Sequence, residues 1–230
     1  SHVVSLLLGM ELMGIAVYAM IAFPEDDSLS LEASIKYLIL SACASAMLLF
    51  GFALLYAATG ELSYTGIGSK VASAYESNSL IVVAGTAMVL SGIGFKLSLV
   101  PFHMWTPDVY EGAPTPVTNF LATVSKGSMF VALTRLFIDG QFYRFPSLIV
   151  ALTVISFASM LIGNLLALRQ KNVKRLLAFS SIAHFGYLLM VIVGFSSLPE
   201  TQKILDLGKD ALTFYLVAYI LSTLAAIVVV

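Results

Sequence analysis

Charge is scarce in this sequence. Asp, Glu, Lys and Arg make up 11% of its 230 residues, against about 25% in a soluble domain. With net charge −1 there is no basic footprint for nucleic acid. Cysteine occurs once, at Cys43. That excludes an intrachain disulfide and a thiolate set for an iron–sulfur cluster, and Cys43 itself reads as a small core residue. The three histidines have no metal-ligand spacing. The stretch GIGFKL, with Gly92 and Gly94, lacks the third glycine of a dinucleotide loop. No nucleophile stands beside a base, so no redox or hydrolytic site is expected.

Apolar residues are abundant, at 59%. They fall in long, even runs, which exclude the alternating strands of an outer-membrane barrel. A helix crossing a bilayer needs about 20 such residues. The chain therefore reads as an all-α polytopic membrane protein with about seven spans. The expected spans are 3–23, 31–58, 80–103, 117–138, 146–168, 173–195 and one from about 210. The chain opens and closes inside apolar runs and reads as an internal portion of a longer protein. Arg169, Lys171, Lys174 and Arg175 form the densest basic cluster, a cytoplasmic signal. Alternation places 24–30 (with Glu25, Asp26 and Asp27) and 105–116 on that same side. It places 59–79, 139–145 and 196–209 on the other. Arg135 and Arg144 count against this orientation.

Polar residues inside the spans are the candidates for chemistry, because an ionisable group at the bilayer centre costs roughly 2.5–3.5 kcal/mol or more. Glu11 has no polar neighbour in its own turn, and an unpaired carboxylate there takes up a proton instead of staying charged. Lys96 follows Gly92 and Gly94 and precedes Pro101. That proline removes a helical hydrogen bond, and such a break survives in a bilayer only inside protein or along a wet cavity. Lys126 lies deep in the fourth span, where snorkelling to an interface is hard. His103, between the two lysines, titrates near neutral pH. His184, with Ser180, Ser181 and Tyr187 nearby, is a lesser relay candidate. Lys36 and Arg135 are lesser still: Lys36 sits one turn into its span and reads as snorkelling. Lys174–Arg175 reads as a topology signal. On these grounds the chain moves ions, or scaffolds something that does.

Three separated blocks resemble a known family. They are GFKLSLVPFHMWTPDVYEGAPTPVTNFLATVSK, LEASIKYLILSA and QKNVKRLLAFSSIAHFGYLLM. Together they resemble the antiporter-like membrane subunits of respiratory complex I. The larger members read WLPDAH where this chain reads WTPDVY, which is similar to the subunit N branch of bacterial NADH:quinone oxidoreductase. The resemblance implies a fold of about fourteen helices with two inverted repeats and a discontinuous helix. Residues 1–140 would be most of the first repeat and 146–230 the start of the second, within one transmembrane domain. It implies a Glu11–Lys96 pair, a central Lys126, and a relay histidine at His103. It implies redox-driven proton translocation in a bacterial inner membrane, beside other membrane-arm subunits and lipid. FMN, iron–sulfur clusters and quinone would sit in partner subunits, with NADH the substrate of the whole and no cofactor in this chain. A stand-alone Na⁺(K⁺)/H⁺ antiporter subunit and a non-pumping structural subunit are the alternatives.

Overall fold

The computed structural model describes residues 2–24, 27–194 and 202–229, with backbone only for 202–206. Glu25, Asp26 and the 196–201 part of the last expected loop lie outside the described residues.

Helix α1 (Val3–Ile21) opens on His2, whose ring accepts a hydrogen bond from the Val4 amide. Helix α2 (Ser28–Thr59) opens on Asp27, whose carboxylate accepts from the Leu29 amide at 3.0 Å. Both caps satisfy amides that a helix start leaves without partners. α2 stops at Gly60, which takes a left-handed φ of 69° that costs glycine little. Helix α3 (Tyr64–Ser77) follows, then α4 (Ser79–Leu97), α5 (Trp105–Gly112) and α6 (Thr115–Phe120). A π-helical turn, Leu121–Ser125, leads into α7 (Lys126–Asp139). Helices α8 (Pro146–Ala167), α9 (Val173–Gly194) and α10 (Gln202–Val228) complete the chain. Among the described residues seven helical stretches are long and apolar enough to span a bilayer, with 115–139 acting as one, as the hydrophobic runs predict. The chain is a multi-pass membrane protein.

Several expected boundaries change. The polar stretch 59–79 is not a plain loop, because Tyr64, Ile67, Gly68, Val71 and Ala74 form a buried face at helical spacing. The third span ends at Leu97, short of His103. The loop 105–116 is mostly helical, and 196–209 is helical from Gln202. Cys43 is exposed on α2, not in the core. The packing side of α2 there is Tyr37, Ser41, Ala44 and Leu48, a stripe that position 43 misses.

Small residues set the helix spacing, as is common where lipid removes a hydrophobic drive for association. A Cβ on Gly51 of α2 would lie 2.7 Å from the Gly85 carbonyl of α4. One on Gly163 of α8 would lie 2.8 Å from the Ala183 amide of α9. Large apolar side chains such as Leu12, Phe157 and Phe214 remain exposed on the outer surface.

The two ends of the bundle sort as the alternation predicts. At one end, Ser30 Oγ donates to the Gly112 carbonyl at 2.6 Å, and Lys174 Nζ to the Ala113 carbonyl at 2.9 Å. At the other, the Val3 amide donates to the Leu62 carbonyl, and the Tyr75 and Phe145 rings pack 5.3 Å apart.

Candidate functional site

The site is built around the gap between α4 and α5. Pro101 has no amide hydrogen to continue a helix, and the residue before a proline disfavours helical backbone. α4 accordingly closes on Ser98, at φ 60°. Side chains occupy backbone groups that the break releases. The Trp105 indole N–H donates to the Phe95 carbonyl at 3.0 Å, and the Val100 amide donates to Ser159 Oγ of α8 at 3.0 Å. Thr106 Oγ1 donates to Ser98 Oγ at 2.5 Å. Gly92 lies against α2, where an added Cβ would come 2.8 Å from the Ala44 carbonyl; one on Gly94 would meet the Phe102 ring.

Lys96 is 4% exposed, so it does not reach an interface. Its ammonium donates to Ser41 Oγ at 2.7 Å and lies 5.6 Å from the centre of the Tyr37 ring. Ser41 also accepts from the Tyr18 hydroxyl at 3.2 Å. Lys126 is 1% exposed and starts α7 directly after the π turn, a local distortion frequent at functional sites. Its ammonium donates to Ser181 Oγ at 2.8 Å, and Ser181 passes its own hydrogen to the Ala178 carbonyl. The rings of Tyr110, Phe185 and Trp105 surround it at 5.2, 5.7 and 6.0 Å. Such faces attract a cation by their quadrupole. The two lysine sites share a wall, because Tyr37 and Trp105 pack 5.0 Å apart.

Neither lysine forms an ion pair among the described residues. Glu11 is exposed, not buried as an isolated mid-span acid suggests. α1 packs through Val3, Met10, Gly14, Val17 and Ile21, and Glu11 falls outside that stripe. His103 is buried, with neither ring nitrogen in hydrogen-bond geometry; the nearby acceptor is the Pro101 carbonyl. His184 Nδ1 lies 2.8 Å from the Tyr215 hydroxyl of α10. Tyr219, whose ring is 5.3 Å from that of His184, donates to the Ala122 carbonyl within the π turn. Arg135 is exposed and lines an open crevice between α7 and α10 with Asp139 and Lys209.

Lys36 and Arg175 do more than their sequence readings say. Lys36 reaches the end of the bundle, as a snorkelling lysine does, and its ammonium there meets Asp108 and Glu32, each at 2.7 Å. Arg175 is more than a topology signal, since one guanidinium nitrogen meets Asp108 at 2.9 Å and Glu111 at 2.7 Å. Burial works against ionised Asp108, but the hydrogen bonds and charges of Lys36 and Arg175 overcome it and hold the carboxyl below its ordinary range. The cluster thus ties α5 to α2 and α9. Sequence reasoning missed it because Asp108 and Glu111 lie 64 to 72 residues from Lys36 and Arg175.

This geometry is a polytopic bundle with a broken helix and two interior lysines. A family model described as NADH:quinone oxidoreductase/Mrp antiporter, transmembrane, matches residues 1–230. The chain belongs to this family. NADH-quinone oxidoreductase subunit N of Ectopseudomonas mendocina is 49% identical over 225 residues, covering 98% of this chain and 43% of that protein. Subunit N of Nitrosospira multiformis is 52% identical over 190 residues, covering 83% and 38%. The chain thus spans less than half the length of these curated relatives. Among solved structures it resembles a chain of respiratory complex I from Thermus thermophilus with bound aureothin. That likeness has a TM-score of 0.79 and 37% identity, over 99% of this chain and 46% of the other. An archaeal membrane-bound sulfane sulfur reductase gives 0.79 at 29% identity, over 97% and 44%. The Mrp complex from Dietzia sp. gives 0.81 at 23% identity, over 98% and 40%, a likeness of fold.

Proposed function

We propose that this chain is the lysine-bearing part of a proton-translocating membrane subunit of NADH:quinone oxidoreductase, coupling quinone reduction in the complex to proton pumping across a bacterial inner membrane. The observation that carries the reading is the state of Lys96 and Lys126. Both are buried, on opposite sides of a helix break, with a hydroxyl and aromatic faces as neighbours and no ion-paired carboxylate among the described residues. A buried amine held this way gains and loses a proton in response to charge elsewhere. The packed rings of Tyr37 and Trp105 stand between the two lysines. Glu11, exposed on α1, is in this reading the group through which a neighbouring subunit's charge would be felt. His103 and the His184–Tyr215 pair are, in this reading, further proton sites.

The subunit N relatives support placing it in the membrane arm of complex I, beside lipid and other arm subunits. FMN, iron–sulfur clusters, quinone and NADH chemistry belong in this reading to partner subunits. The division into a first repeat (1–140) and the start of a second (146–230) belongs to it too. A groove of about 250 Å³ beside the break is lined by apolar residues including Leu99, Phe102 and Leu152, which does not suit a polar solute.

The test is alanine at Lys96 and at Lys126 in the full-length subunit within the assembled complex. Protons moved per electron pair in vesicles should fall in both variants, while NADH-dependent electron transfer to an artificial acceptor continues. Unchanged stoichiometry in both would overturn the reading.

A further inference from the structure

Helix α5 carries two kinds of side chain on eight residues. On its buried side, Trp105 and Tyr110 present their rings to the Lys126 ammonium. On its half-buried side, Asp108 and Glu111 bind Lys36 of α2 and Arg175 of α9. The non-helical residues 98–104 separate α5 from α4, and Ala113–Pro114 separate it from α6. No continuous helical ladder therefore fixes where α5 sits. Tertiary contacts hold it instead: the ion cluster at its outer edge, the Trp105–Phe95 and Thr106–Ser98 hydrogen bonds at its start, and the Ser30–Gly112 and Lys174–Ala113 hydrogen bonds at its end, where Gly112 packs closely on α2.

The surroundings of Lys126 make that position matter. α9 presents Ser181 and Phe185 to it, and α5 presents Trp105 and Tyr110. α10 presents Tyr219, whose hydroxyl is taken by the Ala122 carbonyl. Tyr37 and Lys96 lie beyond Trp105. Among the described residues no carboxylate pairs with Lys126. Ring faces supplied by α5 are thus a main source of preference for the charged amine, and cation–π attraction falls off once a ring lies beyond about 6 Å.

We propose that α5 is a lever: Asp108, gripped by Lys36 and Arg175, holds Trp105 and Tyr110 against Lys126, and the rings govern how readily Lys126 keeps its proton. The ion cluster at the end of the bundle is thereby coupled to the interior lysine through one short rigid helix. Trp105 and Asp108 are positioning residues in this account. It rests on the proton-translocation reading and deepens it.

The experiment measures proton pumping against pH for the assembled complex in vesicles. Its variants are Trp105→Leu, Trp105→Phe, Asp108→Asn and the Asp108→Asn/Trp105→Leu double, with Lys126→Ala as control. Trp105→Leu should bring the alkaline fall of pumping about one pH unit lower, the scale of a lost cation–π contact. Trp105→Phe, which keeps a ring face, should recover more than half of that shift. Asp108→Asn should shift the profile the same way, and the double variant by less than the sum of the two single shifts, since Asp108 acts in part through the Trp105 contact. A Trp105→Leu profile that superposes on the parent's, or single shifts that simply add, would overturn the lever. If Trp105→Leu does not assemble, Tyr110→Leu replaces it in both arms. Undiminished pumping by Lys126→Ala would instead defeat the translocation reading itself.

Discussion

Lys126 of α7 donates a 2.8 Å hydrogen bond to Ser181 of α9, a residue 55 positions later. That hydroxyl is the polar acceptor in a site otherwise walled by three aromatic rings. Ser181→Ala should cut proton pumping on the order of tenfold, since a hydrogen bond to a charged group is worth about 1.5–3 kcal/mol. Ser181→Thr, which keeps the hydroxyl, should retain most of it. Vesicle pumping assays on the two variants separate lost oxygen from lost packing.

Asp108 links folding to pH. Its folded-state carboxyl lies below its ordinary range, so its contribution to stability is fully present above the unfolded carboxylate pKa. The contribution is lost as pH falls through the lower, folded value. The thermal midpoint of the full-length subunit in detergent should therefore drop on acidification below about pH 4. Asp108→Asn should lower the midpoint at neutral pH and flatten that acid dependence.

Ser159 holds the break from outside α4. Its Oγ accepts from the Val100 amide at 3.0 Å while donating to the Ile155 carbonyl at 2.7 Å. Ser159→Ala leaves that amide without its partner, at a cost of about 1–3 kcal/mol where water is excluded. Hydrogen exchange should speed up over residues 98–104 and stay unchanged in α1.

Gly51 tests the packing of α2 on α4. Gly51→Val drives side-chain atoms into the Gly85 carbonyl and the Val89 backbone, and overpacking of this kind costs about 1–3 kcal/mol. The melting temperature of the full-length subunit should fall, and Gly51→Ala should fall less.

Span number, the break before Pro101 and the burial of Lys96 and Lys126 were legible because each follows from a local rule. Apolar length marks a span, proline ends a ladder, and a lysine mid-run has nowhere wet to go. What was not legible depends on pairing across the chain. Asp108 looks like a loop acid until α2 and α9 bring Lys36 and Arg175 to it. Trp105, Tyr110 and Phe185 look like ordinary membrane aromatics until the fold turns them onto one ammonium. Glu11 was read as interior because one-dimensional hydropathy does not say which side of a helix faces its neighbours. The helix α3 was missed because glycines and serines dilute its apolar face.

Aromatic walls around Lys126 have an electrical consequence. Beside a carboxylate the site would pass from net −1 to a neutral pair when the lysine gains a proton. Ring faces carry no net charge, so the protonated lysine here leaves an uncompensated positive charge in the interior. Two unit charges about 12 Å apart, at an effective dielectric near 20, interact by about 1.4 kcal/mol, which is roughly a tenfold bias on an equilibrium. In the proposed translocation, a lysine in a cage of rings would therefore act on its titratable neighbours through its charge, without any atom having to move.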